Sequence, residues 1–174
     1  HDFKDRLNTE LDRLEGVYRK LLKNSGVETF DARARIKDAH TVTLSDGTEK
    51  TAKHILIASG GRPVRPDLEN AEHGLVSDDL FHLEQLPKSI LIIGGGYIAC
   101  EFSGVMAGLG AETTQYYRVA QILRGFDDEA RGLIAEEMRG NGVDLHCGSE
   151  IIEMSKADGG IKVKATNGTE KVFE

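Results

Sequence analysis

A chain of 174 residues is long enough to bury a core and is compatible with one large domain or two small ones. Its 22 Lys and Arg against 29 Asp and Glu leave a formal charge of −7, which excludes a general affinity for nucleic acid and leaves basic residues to act locally. The apolar fraction of 39%, with 20 glycines besides, is that of an ordinary soluble protein, and the sequence has no 18-residue apolar run to suggest a membrane span.

Phe3, Leu7, Leu11, Leu14, Tyr18, Leu21 and Leu22 recur at helical spacing and predict one long amphipathic helix over residues 3–24, ended by Ser25-Gly26. Short strands follow over 27–30, 32–36, 41–44 and 48–51, with Asp46-Gly47 as a hairpin turn, so a small antiparallel meander is expected. Residues 52–58 read as a further strand with a strongly apolar end that runs into Ser59-Gly60-Gly61. A strand stopping at small residues often leaves its end against a ligand. All three prolines fall between Arg62 and Pro87, which marks a connector and places a domain boundary near residue 61. Within it Ser77 is expected to cap a short helix over 78–82, and His73 and His82 are read as surface residues without chemistry.

The most informative stretch comes next. Residues 90–94 form a short apolar strand, and Gly94, Gly96 and Ala99 then stand at the G-x-G-x-x-G/A spacing of a dinucleotide-binding turn. The first small residue permits the tight turn, the second lets backbone approach a diphosphate, and the third lets helix and strand pack closely. Ile98, Phe102, Val105 and Leu109 carry the following helix to Leu109-Gly110, and residues 112–117 supply the second strand. A unit that binds NAD places an acid about 20 residues past the glycines for the ribose 2′-OH. Here Tyr117 and Arg118 stand at that place, with Arg124 beyond, and two guanidiniums suit the 2′-phosphate of NADPH. A helix over 127–140, with Leu133, Ile134 and Met138 facing the core, a strand over 143–147 and a second meander over 151–156, 161–165 and 171–173 complete the chain. The fold expected is α/β, Rossmann-like, with a parallel sheet and a β-meander.

Cys100 and Cys147 form no C-x-x-C pair and suggest neither a disulfide scaffold nor a metal site, so no metal is expected and Cys100 is read as a small apolar helix residue. The N-terminus is charged rather than signal-like, and a cytoplasmic, reducing compartment is the default.

Three stretches in order, HILIASGGRP, SDDLFHLEQLPKSILIIGGGYIACE and LGAETTQYYRVAQILRGFDDE, resemble the flavin-dependent pyridine nucleotide–disulfide oxidoreductases, most closely their glutathione reductase branch. The resemblance covers essentially the whole chain. It implies that residues 1–61 are the later part of an FAD-binding domain, that residues 62–174 are most of an NADPH-binding domain, and that the chain is an internal fragment. No redox C-x-x-x-x-C pair and no His-Glu pair stand in it, so no catalytic residue is expected here. The resemblance assigns NADPH to Gly94, Gly96, Tyr97, Ile98, Ala99, Glu101, Arg118 and Arg124, with Tyr97 as the lid of the nicotinamide pocket and Glu101 near the nicotinamide amide. It assigns FAD to Ala34, Ser59 and Gly60. Val119, where many relatives carry a basic residue, and Ser59, where threonine is common, depart from the pattern. The implied parent enzyme passes electrons from NADPH through FAD and a redox disulfide to glutathione disulfide, and is a homodimer through a domain absent from this chain. Dihydrolipoyl dehydrogenase, mercuric reductase and trypanothione reductase are the alternatives within the family, and a non-catalytic NADPH-binding module is the alternative outside it.

Overall fold

The computed structural model describes residues 2–174, with side chains from Lys4 onward, so the side chain of Phe3 in the predicted first helix lies outside the described residues. The chain divides into two compact units that part between Gly61 and Arg62.

In the first unit, helix α1 (Asp2–Asn24) is followed by strands β1 (Ala34–Asp38), β2 (Thr41–Leu44) and β3 (Glu49–Thr51), an antiparallel sheet in that order. Gly26 at φ 71 ends the helix, and Gly47 at φ 87 makes the β2–β3 turn, where Asp46 Oδ1 accepts from Thr48 N at 2.8 Å. Leu11, Tyr18 and Leu21 on α1 each stay more than half exposed. Two expected strands are corrected. Residues 27–30 have no regular structure, and neither do residues 52–58, so the segment before Ser59 is not a strand end here. The physical reason is the absence of a ladder partner among the described residues of this unit: beyond the bond from Ala52 N to His40 O at 2.8 Å, Leu56 is 89% exposed.

The second unit opens with a 3-10 turn at Ala71–His73 and the short helix α2 (Ser77–Leu80). Ser77 is its first residue rather than its cap; Asp79 Oδ2 instead accepts from Val76 N at 2.9 Å. Strands β4 (Ser89–Ile93), β5 (Glu112–Tyr117) and β6 (Val143–Cys147) then form a parallel sheet in that order, linked by helices α3 (Tyr97–Gly108) and α4 (Asp128–Gly140). The chain ends in the antiparallel sheet β7 (Ile151–Ala157), β8 (Gly160–Ala165) and β9 (Glu170–Phe173).

Two cores result, because side chains alternate across β5. On one face Cys100 and Ile122 pack with Ala135, Met138, Val143 and Leu145. On the other, Tyr116 packs with Ile151, Met154, Val163, Ala165 and Phe173 of the meander. The inward stripe of α3 is Cys100, Ser103 and Met106, not the expected Ile98, Val105 and Leu109, which are each 45% exposed or more. Small residues let the helix lie close to the sheet, so the spacing of large residues had marked its outer side. On helix α4 the expected Met138 is buried together with Ala135, whereas the expected Leu133 and Ile134 are exposed.

Candidate functional site

The turn between β4 and α3 is three glycines with three different jobs. Gly94 sits at φ 144, a backbone that side chains strain, and a Cβ built there would lie 3.5 Å from Ala99 Cβ. The first and third small residues of the fingerprint are therefore the ones that bring the strand end against the helix. Gly95 is buried, and a Cβ there would fall 2.3 Å from the ring of Tyr117, so the ring lies directly on its backbone. Gly96 has ordinary extended angles (φ −78, ψ 174) and a Cβ there would meet nothing within 4 Å. Nothing in the fold requires glycine at that position. What it keeps clear is the space before α3, whose N-cap has no side chain to take the first-turn amides. Those amides and the positive end of the helix are the chemistry of an anion cradle.

The turn is fastened from below. Gln115, fully buried in the middle of β5, donates from Nε2 to Gly94 O at 2.9 Å and accepts at Oε1 from Ser103 Oγ at 2.8 Å. Gly94 N donates to Tyr116 O at 2.9 Å. A buried amide with its partners satisfied fixes one geometry, since any shift leaves a polar group unpaired. Cys100 lies beside it, with Gln115 Nε2 3.8 Å from Sγ. Burial pushes the Cys100 thiol up, which the Gln115 contact only partly opposes. The buried, neutral Cys100 is expected to resist iodoacetamide at pH 8 while the half-buried Cys147 reacts, with Cys100 labelled only on denaturation; peptide mass spectrometry reads both sites.

Arg118 follows the end of β5 directly, and Arg124 sits in the loop between β5 and α4. Both are exposed, and among the described residues neither forms an ion pair or hydrogen bond. The loop that carries them is well held. Ile122 is fully buried, Leu123 takes a left-handed backbone (φ 55), and Leu123 N donates to Gly95 O at 2.6 Å. That last bond ties the residue before Arg124 to the glycine turn itself. Val119 O and Tyr117 O accept from Gly148 N and Ser149 N. Asp127 caps α4, its Oδ1 accepting from Glu129 N and Ala130 N at 3.1 Å each.

The structure thus gathers Gly94, Gly96, Tyr97, Ile98, Ala99, Arg118 and Arg124 around one turn. Tyr97 is 58% exposed at the start of α3, and Glu101, four residues on, shares its face of the helix and is also exposed. Ala34 on β1, Ser59 and Gly60 (φ 70) are exposed in the first unit. Gly95, Gln115 and Arg131 are not among the site residues expected from the sequence. Three successive glycines, a glutamine inside a buried strand and an arginine in the first turn of a helix were the available signals. Among the described residues no group of His, Cys, Asp and Glu is arranged to hold a metal, and no helix is long and apolar enough to cross a membrane.

The whole chain, residues 1–174, matches the model of the pyridine nucleotide-disulphide oxidoreductase family. It is 44% identical over 161 residues to a glutathione reductase of Burkholderia cepacia and 42% identical over 167 residues to the chloroplastic/mitochondrial glutathione reductase of Pisum sativum. These matches cover 92% and 95% of the chain but 36% and 30% of the relatives, so the chain spans about a third of their length. Among solved structures, the HOCl-induced flavoprotein disulfide reductase RclA of Escherichia coli superposes with a TM-score of 0.86 over 98% of this chain and 40% of that one, at 22% identity. A ferredoxin reductase of Rhodopseudomonas palustris gives 0.77 over 88% of this chain and 41% of that one, at 21% identity. At such identities the likeness is one of fold.

Proposed function

This chain belongs to the pyridine nucleotide-disulphide oxidoreductase family, and on that premise we propose that it forms the middle of an NADPH-dependent flavoprotein disulfide reductase, most closely a glutathione reductase. The observation that carries the choice of nucleotide is the pair of exposed guanidiniums, Arg118 and Arg124, without partners among the described residues, beside a glycine turn whose second strand ends without an acid. In the whole protein, NADPH supplies hydride and FAD relays the electrons toward a disulfide.

This chain's part is placement. The clear space at Gly96 admits a diphosphate to the first amides of α3, and Gly94 with Ala99 keeps helix and strand close enough for that approach. Arg118 and Arg124 take the 2′-phosphate. A carboxylate there would repel it, whereas a guanidinium fork matches its oxygens. Exposed Tyr97 covers the nicotinamide pocket and Glu101 meets the nicotinamide amide. Ser59, Gly60 and Ala34 contact the flavin nucleotide. The apolar run around Leu56 and Ile57, 89% and 69% exposed directly before Ser59 and Gly60, supports that assignment as a surface left for a partner. Glutathione disulfide as substrate, a homodimeric assembly and a cytoplasmic location belong to the same reading.

The full-length protein is expected to oxidise NADPH when glutathione disulfide is supplied, and to turn over NADH at least tenfold more slowly at equal concentration. Absorbance at the reduced-nicotinamide band reads both rates. Equal rates with the two nucleotides overturn the choice of NADPH, and no turnover with glutathione disulfide overturns the substrate.

A further inference from the structure

We infer that Arg131 is a positioning residue for recognition of the 2′-phosphate: without touching the nucleotide, it holds the loop that presents Arg124 in register with the glycine turn. The inference rests on the reading of Arg118 and Arg124 given above.

Arg131 is the fourth residue of α4, where a cation meets the positive end of the helix and is disfavoured. Its side chain is nonetheless only 14% exposed, because it folds back onto the preceding loop. Nε donates to Ile122 O at 2.7 Å and Nη2 to Gln121 O at 3.1 Å, while Nη1 pairs with Asp128 Oδ1 at 2.6 Å. The planar fork thus holds two successive carbonyls, a geometry a lysine cannot supply.

Those two carbonyls lie immediately before the bond from Leu123 N to Gly95 O. Arg131, residues 121–123 and Gly95 therefore form one continuous set of hydrogen bonds, with Arg124 as the next residue along the chain. Leu123 is kept in a left-handed backbone that non-glycine residues adopt at a cost, which requires anchors on both sides. Gly95 O and the Arg131 fork hold the amide and the carbonyl of the peptide group that enters Leu123, and on the far side Leu123 O accepts from Phe126 N at 3.1 Å. No strand ladder or helix holds this stretch. Without the fork the carbonyls of Gln121 and Ile122 lose their partner and the stretch before Arg124 is held by fewer bonds, so Arg124 shifts relative to Arg118, while the cradle at Gly96, fastened separately by Gln115, stays as it is.

The test compares 2′,5′-ADP with 5′-AMP, probes that differ only in the 2′-phosphate, by calorimetric titration of the full chain. Wild type is expected to prefer 2′,5′-ADP. Arg131→Met is expected to lose at least fivefold of that preference while its affinity for 5′-AMP stays within twofold, and Arg131→Lys, which keeps the charge without the fork, is expected to lose nearly as much. Equal weakening of both probes would mean a merely structural role and overturn the inference, as would an unchanged preference. If circular dichroism shows that Arg131→Met does not fold, the ratio measured on Arg131→Lys decides. A wild type without preference sinks the 2′-phosphate reading and this inference together. A preference removed by Arg118→Ala but kept by Arg131→Met sinks this inference alone.

Discussion

Gly96→Val is expected to lower the affinity for NADPH and NADH alike by at least about 100-fold, on the order of 3 kcal/mol, while leaving the fold intact. The separation follows from the local geometry. Gly96 has angles that any residue adopts, and a Cβ there meets no atom of the chain within 4 Å, so valine costs the folded state little. The new methyls stand instead where a diphosphate would reach the first amides of α3, and each charge-assisted bond lost there is worth roughly 1.5–3 kcal/mol. Thermal melting should then move by no more than about 2 °C, a shift of at most about 1 kcal/mol for a chain of this size. Its neighbours provide the contrast. Gly95→Ala drives a Cβ to 2.3 Å from the Tyr117 ring and must lower the melting temperature, and Gly94→Ala places a side chain at φ 144. Titration and melting of the three variants side by side distinguish a clear space kept for a ligand from a clear space kept for packing. Retained affinity in Gly96→Val would remove the diphosphate from this turn.

Strand boundaries were legible where local chemistry punctuates them. Strands β5 and β6 stand over the expected residues because Gly110 and Gly142, both at positive φ, stop the helices before them. Which face of a helix turns inward was less legible. Large apolar residues on α3 and α4 set the period, yet Cys100, Ser103, Met106, Ala135 and Met138 do the burying, and of the residues expected to face the core from α4 only Met138 does so. Residues 52–58 show the limit from the other direction: an apolar run states a wish to pair, but pairing is settled by a partner elsewhere in the fold. At the proposed site, the sequence marks Gly94, Gly96 and Ala99 by their spacing, and Arg118 and Arg124 by the missing acid at the end of β5. Gln115 and Arg131 could not be read in this way, since their partners are backbone carbonyls that come within reach only after the chain has folded.

Replacing Arg118 and Arg124 together by alanine is expected to weaken NADPH binding about 100-fold and NADH binding less than threefold. Two charge-assisted contacts at an exposed site contribute near the low end of their range, together about 3 kcal/mol, which is about two decades of affinity. Among the described residues neither guanidinium has a partner to lose, so the substitution removes attraction for the ligand without breaking an ion pair there. Exposure also makes the contribution sensitive to salt: between low ionic strength and about 1 M, where screening acts within about 3 Å, the wild-type preference for NADPH should shrink and the variant should show no preference to lose. Protonation gives an independent control. A phosphate monoester takes up its second proton near pH 6, so lowering the pH from 7.5 to 5.5 reduces the charge of the 2′-phosphate toward −1 while both arginines stay charged, and the wild-type preference must fall with it. Lysine at both positions keeps the charge and discards the fork, so its affinity should lie between the two. Equal loss of NADPH and NADH in the alanine variant would instead make these arginines part of the scaffold, and the acid-free end of β5 would then carry no information about which nucleotide the chain selects.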